Sequence, residues 1–188
     1  MPVTTIRSTC PVALTSAVRT AVTAGGPAVE VSARAAEALA GHLPEPARLL
    51  TPAQLAGDPA RYQTHPVHVE PDGSFSIAVM VWRPGQVTPI HDHVSWCVTG
   101  VLQGVEYEEI FDLARPGDPG GDALVAVTRR ENQPGTVAGF APPGDIHRVR
   151  NSGTGIAVSM HVYGADLARL GSSIRRVYEL PVEVPSPR

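Results

Sequence analysis

From Tyr62 onward, short apolar segments recur at regular intervals and are separated by residues that favour turns. Glycine and proline contribute 18 and 19 of the 188 residues, and no long helical segment stands between the apolar runs. Strands that follow one another without crossover helices pair antiparallel, and such a sheet can close into a barrel. The sequence therefore predicts an all-β barrel with a loop at 115–121 and the strands Phe75–Trp82, Val94–Leu102, Val105–Phe111, Leu124–Thr128, Thr136–Phe140, Ile156–Tyr163 and Ile174–Glu179.

The first sixty residues have a different pattern, which is rich in alanine and spaced as in a helix. The predicted helices are Val12–Val22 and Ala28–Leu43. Thr51-Pro52 begins a third, short helix, because threonine caps a helix and proline fits its first position. We expect a short helical prefix over 1–60, packed on a barrel over 61–180 and followed by a tail over 181–188, within one structural domain.

Composition limits the classes of partner. A hydrophobic content of 43% with 18% charged residues is typical of a globular chain. The net charge of −3, with no run of basic residues, argues against a nucleic-acid partner. Arg7 and Arg19 interrupt the N-terminal segment, so we expect neither a signal peptide nor a membrane span. Two cysteines make no disulfide framework, and we expect a cytoplasmic monomer or small homo-oligomer.

Three histidines predict a metal site. His91 and His93 are two residues apart, so in an extended strand their side chains point to the same face. A third imidazole from His147 would complete a set of three neutral nitrogens. Such a set leaves coordination positions open for substrate, which is typical of a catalytic site.

The strand Ile156–Tyr163 carries a second polar group of residues. Its alternate residues Ser159, His161 and Tyr163 share one face, whereas the other face is wholly apolar. A solvent-facing stripe would explain this pattern in an ordinary strand, but beside three histidines a functional role is favoured. By contrast, Glu106, Glu108 and Glu109 are expected to form a solvated strand end.

Three sequence segments resemble the cysteine dioxygenase family, a branch of the cupin superfamily. They are HDHVSWCVTGVLQG from His91, GDIHRVRN from Gly144 and SMHVYG from Ser159. Where cupins usually carry a glutamate ligand, this chain has Cys97, as members of this branch also lack that glutamate. The resemblance implies the double-stranded β-helix of cupins and a thiol dioxygenase that uses O₂ to convert a small thiol into a sulfinic acid.

The same resemblance implies the roles of individual residues. His91, His93 and His147 would bind Fe(II), and Ser159, His161 and Tyr163 would form a relay in which His161 orients the phenol. Cys97 shares the parity of His91 and His93. It is either a small buried hydrophobic residue or one half of a thioether link to Tyr163.

Substrate choice stays open between L-cysteine and a mercaptoalkanoate such as 3-mercaptopropionate. Relatives that act on cysteine bind its carboxylate with an arginine upstream of the histidine strand, and those that act on mercaptopropionate carry glutamine. An ungapped match places His65 there, and a shift of two residues offers Gln63. Arg83 is a further candidate for substrate binding.

Two other classes of function remain open. A cupin can bind a metal and a small ligand without oxidising it, although such a binder has no need of the Ser159, His161 and Tyr163 relay. A different cupin enzyme, an isomerase or a carbon-cleaving dioxygenase, could use another metal, because three histidines suit several divalent ions.

Overall fold

The computed structural model describes residues 9–114 and 123–183, so the loop predicted at 115–121 lies outside the described residues. Helices are few and strands are many, and no helix among the described residues is long and apolar enough to cross a membrane. The helices are α1 (Val12–Thr23), α2 (Ala28–Ala40), α3 (Pro52–Leu55) and α4 (Leu167–Leu170), with a 3₁₀ turn at Pro46–Arg48. The strands are β1 (Gln63–Val69), β2 (Ser76–Trp82), β3 (His91–His93), β4 (Cys97–Gln103), β5 (Glu106–Leu113), β6 (Leu124–Asn132), β7 (Val137–Phe140), β8 (His147–Asn151), β9 (Ala157–Tyr163), β10 (Ile174–Val177) and β11 (Val182–Glu183).

The strands form two sheets. One has five strands in the order β1-β2-β9-β4-β7, and the other has six in the order β10-β3-β8-β5-β6-β11. Every pairing is antiparallel except that of β11 with β6. This arrangement confirms the predicted all-β barrel.

The seven predicted strands are present with shifted ends, and four further strands were not predicted as such. β3 and β8 carry the histidines, and both are short and polar, so hydrophobicity alone does not reveal them. β1 contains a proline and two histidines. Val182 and Glu183, which were assigned to the tail, pair in parallel with Leu124 and Val125. This short edge strand therefore belongs to the second sheet.

The helices α1 and α2 cover the outer face of the five-stranded sheet. Leu14, Val18 and Leu39 are fully buried there, in one cluster with the outward-facing residues of β2 and β9. Close packing needs a residue without a side chain at Gly139 of β7. A Cβ atom at this position would lie 2.7 Å from the carbonyl oxygen of Ser32 in α2.

β2 and β9 are buried on both faces, which leaves their inner faces for the site. In β9, Val158, Met160 and Val162 belong to the helix-covered cluster. The alternate residues Ser159, His161 and Tyr163 point into the barrel, as the strand alternation predicts.

Candidate metal centre

The second sheet brings the three histidines together. His91 and His93 occupy the two ends of β3, and His147 begins β8 directly opposite His91. One ring nitrogen from each histidine lies within 4.8 Å of the other two. All three side chains are buried, with 3–5% of each residue exposed. The predicted grouping of these histidines is therefore present in the structure.

Each of the three rings has its Nδ1 atom committed to a hydrogen-bond acceptor. The Nδ1 of His91 lies 3.0 Å from the carbonyl oxygen of Pro89, and that of His93 lies 3.1 Å from Oδ2 of Asp145. The Nδ1 of His147 lies 2.8 Å from Oε1 of Glu108. A neutral imidazole that donates from Nδ1 has its lone pair on Nε2, and partners of this kind orient metal-binding histidines in proteins.

Electrostatics favour neutral rings in this cluster. Burial, with a smaller effect from His147 and His93, lowers the pKa of His91 to about 3. Burial likewise lowers the pKa of His93, although Asp145 opposes the shift. Imidazole nitrogens that converge in this way suit a divalent transition metal. The donor set therefore fits a metal ion.

Glu108 was expected to be solvated, and this expectation is wrong. The residue is 3% exposed because β5 turns it into the barrel, where it meets His147 from β8. Arg130 and Asn132 of β6 also donate to its carboxylate. Burial opposes ionisation, but these hydrogen bonds and charges hold the pKa of Glu108 at about 2. The residue thus remains an anion that can accept the Nδ1 proton of His147.

The two neighbouring glutamates are buried as well. Glu106 is 3% exposed and Glu109 is 8% exposed. Glu109 forms ion pairs with Arg148 and Arg129 on the two adjacent strands. The expectation of a solvated end failed because this edge of β5 is covered on both sides by β6 and β8.

Asp92 lies between the two histidines in β3 but faces away from them. Its Oδ2 accepts hydrogen bonds from Arg175 and from the hydroxyl of Tyr178, which is 2.9 Å away. The aspartate therefore attaches β10 and the segment after it to the histidine strand.

The polar face of β9 forms a continuous hydrogen-bonded chain. The Oγ of Ser159 is 2.9 Å from Nε2 of His161, and Nδ1 of His161 is 3.3 Å from the hydroxyl of Tyr163. The Nε1 of Trp82 donates to Ser159 over 3.2 Å. Burial and nearby histidines lower the pKa of His161 to about 3, so the ring is neutral.

Cys97 and Tyr163 are direct partners across β4 and β9. Both are buried and lie in one small cluster with Ala78. Side chains of directly opposed residues have Cβ atoms about 4.5–5.5 Å apart. The even spacing of Cys97 from His91 and His93 predicts that its side chain points into the barrel, and the pairing of β4 with β9 places it next to the Tyr163 phenol.

A cavity of about 320 Å³ opens onto the histidines, and His161 and Tyr163 also line it. Its remaining lining is apolar or neutral, and among the described residues no arginine, aspartate or glutamate contributes to it. From the strands β1 and β2 and the segment before β10, the cavity receives Tyr62, Thr64, Pro66, Ala78, Met80, Trp82, Ser172 and Ser173.

The structure does not bring the predicted substrate-binding residues to this cavity. Gln63 and His65 alternate with Tyr62, Thr64 and Pro66, and Nδ1 of His65 lies 3.3 Å from the side-chain nitrogen of Gln54. Arg83 is exposed beyond the end of β2. The register explains this placement: a bulge between Pro66 and His68 adds one residue to β1, so that Thr64 and Pro66 pair with the cavity-lining Met80 and Ala78.

Several residues at the site were not recognised from the sequence. Asp145 lies two residues before His147 in the same segment, and that spacing was an available signal for a shared face. Glu106 and Glu108 are likewise two residues apart, so the spacing also indicates that they share one face of β5. Thr64 could not be found, because a bulge leaves no mark in the spacing of polar residues.

The fold is an all-β barrel, and its three clustered histidines form a candidate metal centre. The family model of cysteine dioxygenase type I matches residues 44–172, which is more than half of the chain. The chain therefore belongs to the cysteine dioxygenase type I family.

The relatives named cysteine dioxygenase type 1 include those of Rattus norvegicus and Danio rerio. The protein of Rattus norvegicus is 32% identical over 94 residues, which cover 49% of this chain and 46% of the relative. That of Danio rerio is 35% identical over 101 residues, which cover 50% of this chain and 47% of the relative. The chain thus spans about half the length of the relatives it matches.

Similar solved structures include a cupin superfamily protein from Desulfitobacterium hafniense, which is 14% identical and has a TM-score of 0.45. The match covers 66% of this chain and 95% of that structure. A cupin barrel domain protein from Salinispora arenicola is 21% identical, with a TM-score of 0.44, and the match covers 63% and 87% of the two chains.

Proposed function

We propose that this protein is a mononuclear non-haem Fe(II) thiol dioxygenase that oxidises a small thiol acid to its sulfinic acid. The observation that carries the proposal is the cluster of three buried histidines, each with Nδ1 committed to an acceptor, on a cavity shared with Tyr163. Family membership supports the same reaction.

His91, His93 and His147 would hold the metal through Nε2. Bound Fe(II) would supply the activation of the thiol and of O₂ through which both oxygen atoms are added to sulfur. Pro89, Asp145 and Glu108 keep the rings in the orientation and tautomer that this binding needs. The buried carboxylates of Asp145 and Glu108 also balance part of the metal charge.

Tyr163 is proposed to act as a hydrogen-bond donor beside the reacting groups. Burial raises the pKa of its phenol well above the usual value, so the hydroxyl keeps its proton at neutral pH. His161 holds the phenol from one side, and Ser173 forms a further hydrogen bond with it. The hydroxyl is therefore positioned by two partners at the wall of the cavity.

Within this reaction we propose a mercaptoalkanoate such as 3-mercaptopropionate rather than L-cysteine as the preferred substrate. A cysteine zwitterion would bring two charges into the cavity, whereas the lining formed by the described residues contains no carboxylate or guanidinium to pair with them. A mercaptoalkanoate brings one charge, which the hydroxyls of Tyr62, Thr64 and Tyr163 can partly solvate.

The experiment is a comparison of thiols under identical conditions. Protein loaded anaerobically with Fe(II) is supplied with 3-mercaptopropionate, L-cysteine, mercaptosuccinate or cysteamine, and oxygen consumption and sulfinate are measured. We expect the highest kcat/KM with 3-mercaptopropionate. A preference for L-cysteine would overturn the substrate assignment, and the absence of turnover with every thiol would overturn the reaction.

We also propose that Cys97 and Tyr163 become linked. The sulfur would form a bond to the ring carbon next to the hydroxyl, with loss of two hydrogen atoms to O₂ as oxidant. The direct pairing of the two residues supports this step. Mass spectrometry of reduced, digested protein would detect the joined peptides, and recovery of only separate peptides after turnover would exclude the link.

A further inference from the structure

Glu106 is a buried acid that the reaction described above leaves without a role. It begins β5 and is 3% exposed, and it forms a hydrogen bond with Ser159 of the opposite sheet. Its Oε1 atom has no hydrogen-bond partner among the described residues. Because an unpartnered buried carboxylate oxygen is costly, this position needs an explanation beyond folding.

Ser159 connects this acid to the phenol in the cavity. The hydroxyl of Ser159 contacts Glu106 and His161, and it accepts a hydrogen bond from Trp82. It has a single proton to donate. Since His161 is a neutral ring with one N–H, the direction of each hydrogen bond depends on the direction of the others.

When Glu106 is a carboxylate, Ser159 donates to it. The Nε2–H of His161 then donates to Ser159, so Nδ1 is an acceptor and takes the proton of the Tyr163 hydroxyl. The phenol proton is directed at His161 in this arrangement.

When Glu106 is protonated, it donates to Ser159, and Ser159 donates to Nε2 of His161. The proton of the ring then resides on Nδ1 and is donated to the oxygen of Tyr163. The phenol proton is released from His161 and turns toward the cavity or Ser173.

The charges around Glu106 allow both states near neutrality. Burial first, and then the charge of Glu108, raise the pKa of Glu106 to about 7, although Ser159 opposes the shift. The residues directly opposite on β6 and β8, Asn132 and Asn151, are uncharged. Nearby charge comes from Glu108 and its partner Arg130, while the titratable groups across the barrel are His161 and Tyr163.

We propose that Glu106 is a positioning residue whose proton sets the direction of the hydrogen bonds through Ser159 and His161, and so decides whether Tyr163 donates to His161 or toward the cavity. The consequence for turnover rests on the proposed function, because it assumes that Tyr163 assists thiol oxidation. The hydrogen-bond switch itself does not depend on that assumption.

The test is the tautomer of His161 as a function of pH, measured by NMR on protein with isotope-labelled histidine. Zinc replaces iron, because it is diamagnetic and suits three histidines. In the unmodified protein we expect the ring proton to move from Nε2 at high pH to Nδ1 at low pH, with a midpoint near 7. In Glu106→Gln the tautomer should not change with pH.

Glu109→Gln is the matched control, because it removes a carboxylate from the same strand outside the hydrogen-bonded chain, and it should keep the transition. Ser159→Ala provides a second route, because it disconnects His161 from Glu106 and should also abolish the transition. A tautomer that is constant across neutral pH in the unmodified protein, or a transition that survives in Glu106→Gln, would overturn the proposal.

A kinetic measurement adds a second readout. The ratio of kcat between Glu106→Gln and the unmodified protein should change across neutral pH, whereas the ratio for Glu109→Gln should stay constant. If the protein oxidises no thiol, the NMR transition still tests the role of Glu106. If oxidation is normal and the transition is absent, only the role of Glu106 is rejected.

Discussion

β9 and β1 lie in the same sheet, separated only by β2, and both contribute side chains to the cavity. β9 pairs with β2 without any irregularity, and its polar residues point inward as the alternation predicts. β1 contains a bulge between Pro66 and His68, and its residues that line the cavity include Thr64 and Pro66 but not the proposed Gln63 and His65. Strand parity is thus a dependable guide only where the strand itself contains no bulged residue.

The comparison also separates two kinds of burial in β9. Its helix-facing residues contribute packing, whereas its inward residues contribute hydrogen bonds to a site. Substitutions on the helix-facing side should therefore lower stability, and those on the inward face should lower activity. In β1, only substitutions at positions that face the cavity in the bulged register should change KM.

The largest effect is expected from the histidines themselves. His147→Ala should remove iron binding, because two remaining imidazoles hold a divalent ion far less well than three. Metal analysis after loading and desalting measures the loss. His42→Ala is the control, because His42 is exposed and its Nδ1 contacts the carbonyl oxygen of Ala38 at the end of α2. Full iron retention with normal turnover in His147→Ala would contradict the assignment.

On the inward face of β9, Tyr163→Phe should lower the rate of thiol oxidation by about a hundredfold or more, in the range of a lost proton donor. Iron content should be unchanged, because the three clustered histidines, and not Tyr163, are the residues expected to bind the metal. Steady-state kinetics with metal analysis checks both statements. An unchanged rate would remove Tyr163 from the reaction.

On the helix-facing side of β9, Met160→Ala should lower the free energy of unfolding by about 2–5 kcal/mol, the usual cost of this change in a packed core. Met160 is fully buried under the helices. Denaturant unfolding of the metal-loaded protein measures the change. A loss of iron binding without a loss of stability would show that the two faces of β9 are not separable in this way.

In β1 the paired variants Thr64→Arg and Gln63→Arg test the register. An arginine at position 64 should reach the cavity and lower KM for thiol acids about tenfold or more, given about 1.5–3 kcal/mol for a charged hydrogen bond. An arginine at position 63 should leave KM unchanged, because Gln63 alternates with the residues that line the cavity. A lower KM in Gln63→Arg with an unchanged KM in Thr64→Arg would indicate that β1 has no bulge.

The parts of the molecule that were predictable share a physical reason. The barrel, the helices and the inward set Ser159, His161 and Tyr163 follow from periodicity, which reflects burial. The convergence of His91, His93 and His147 was predictable from spacing and from family resemblance together.

The parts that were not predictable depend on pairing between distant segments. In the sequence Glu108 resembles a surface residue, and only the pairing of β5 with β8 shows that it contacts His147. Thr64 faces the cavity only because Val67 occupies a bulge opposite Ala78 and Ile77. Local sequence carries no record of these long-range partners.

The most direct test of the central claim follows both atoms of isotopically heavy dioxygen into product. Fe(II)-loaded protein is mixed with 3-mercaptopropionate under the heavy gas, and the product is analysed by mass spectrometry. We predict a sulfinic acid that carries both heavy oxygen atoms, and none from His147→Ala. Disulfide as the sole product, or sulfinate with one heavy atom or none, would contradict a dioxygenase at this site.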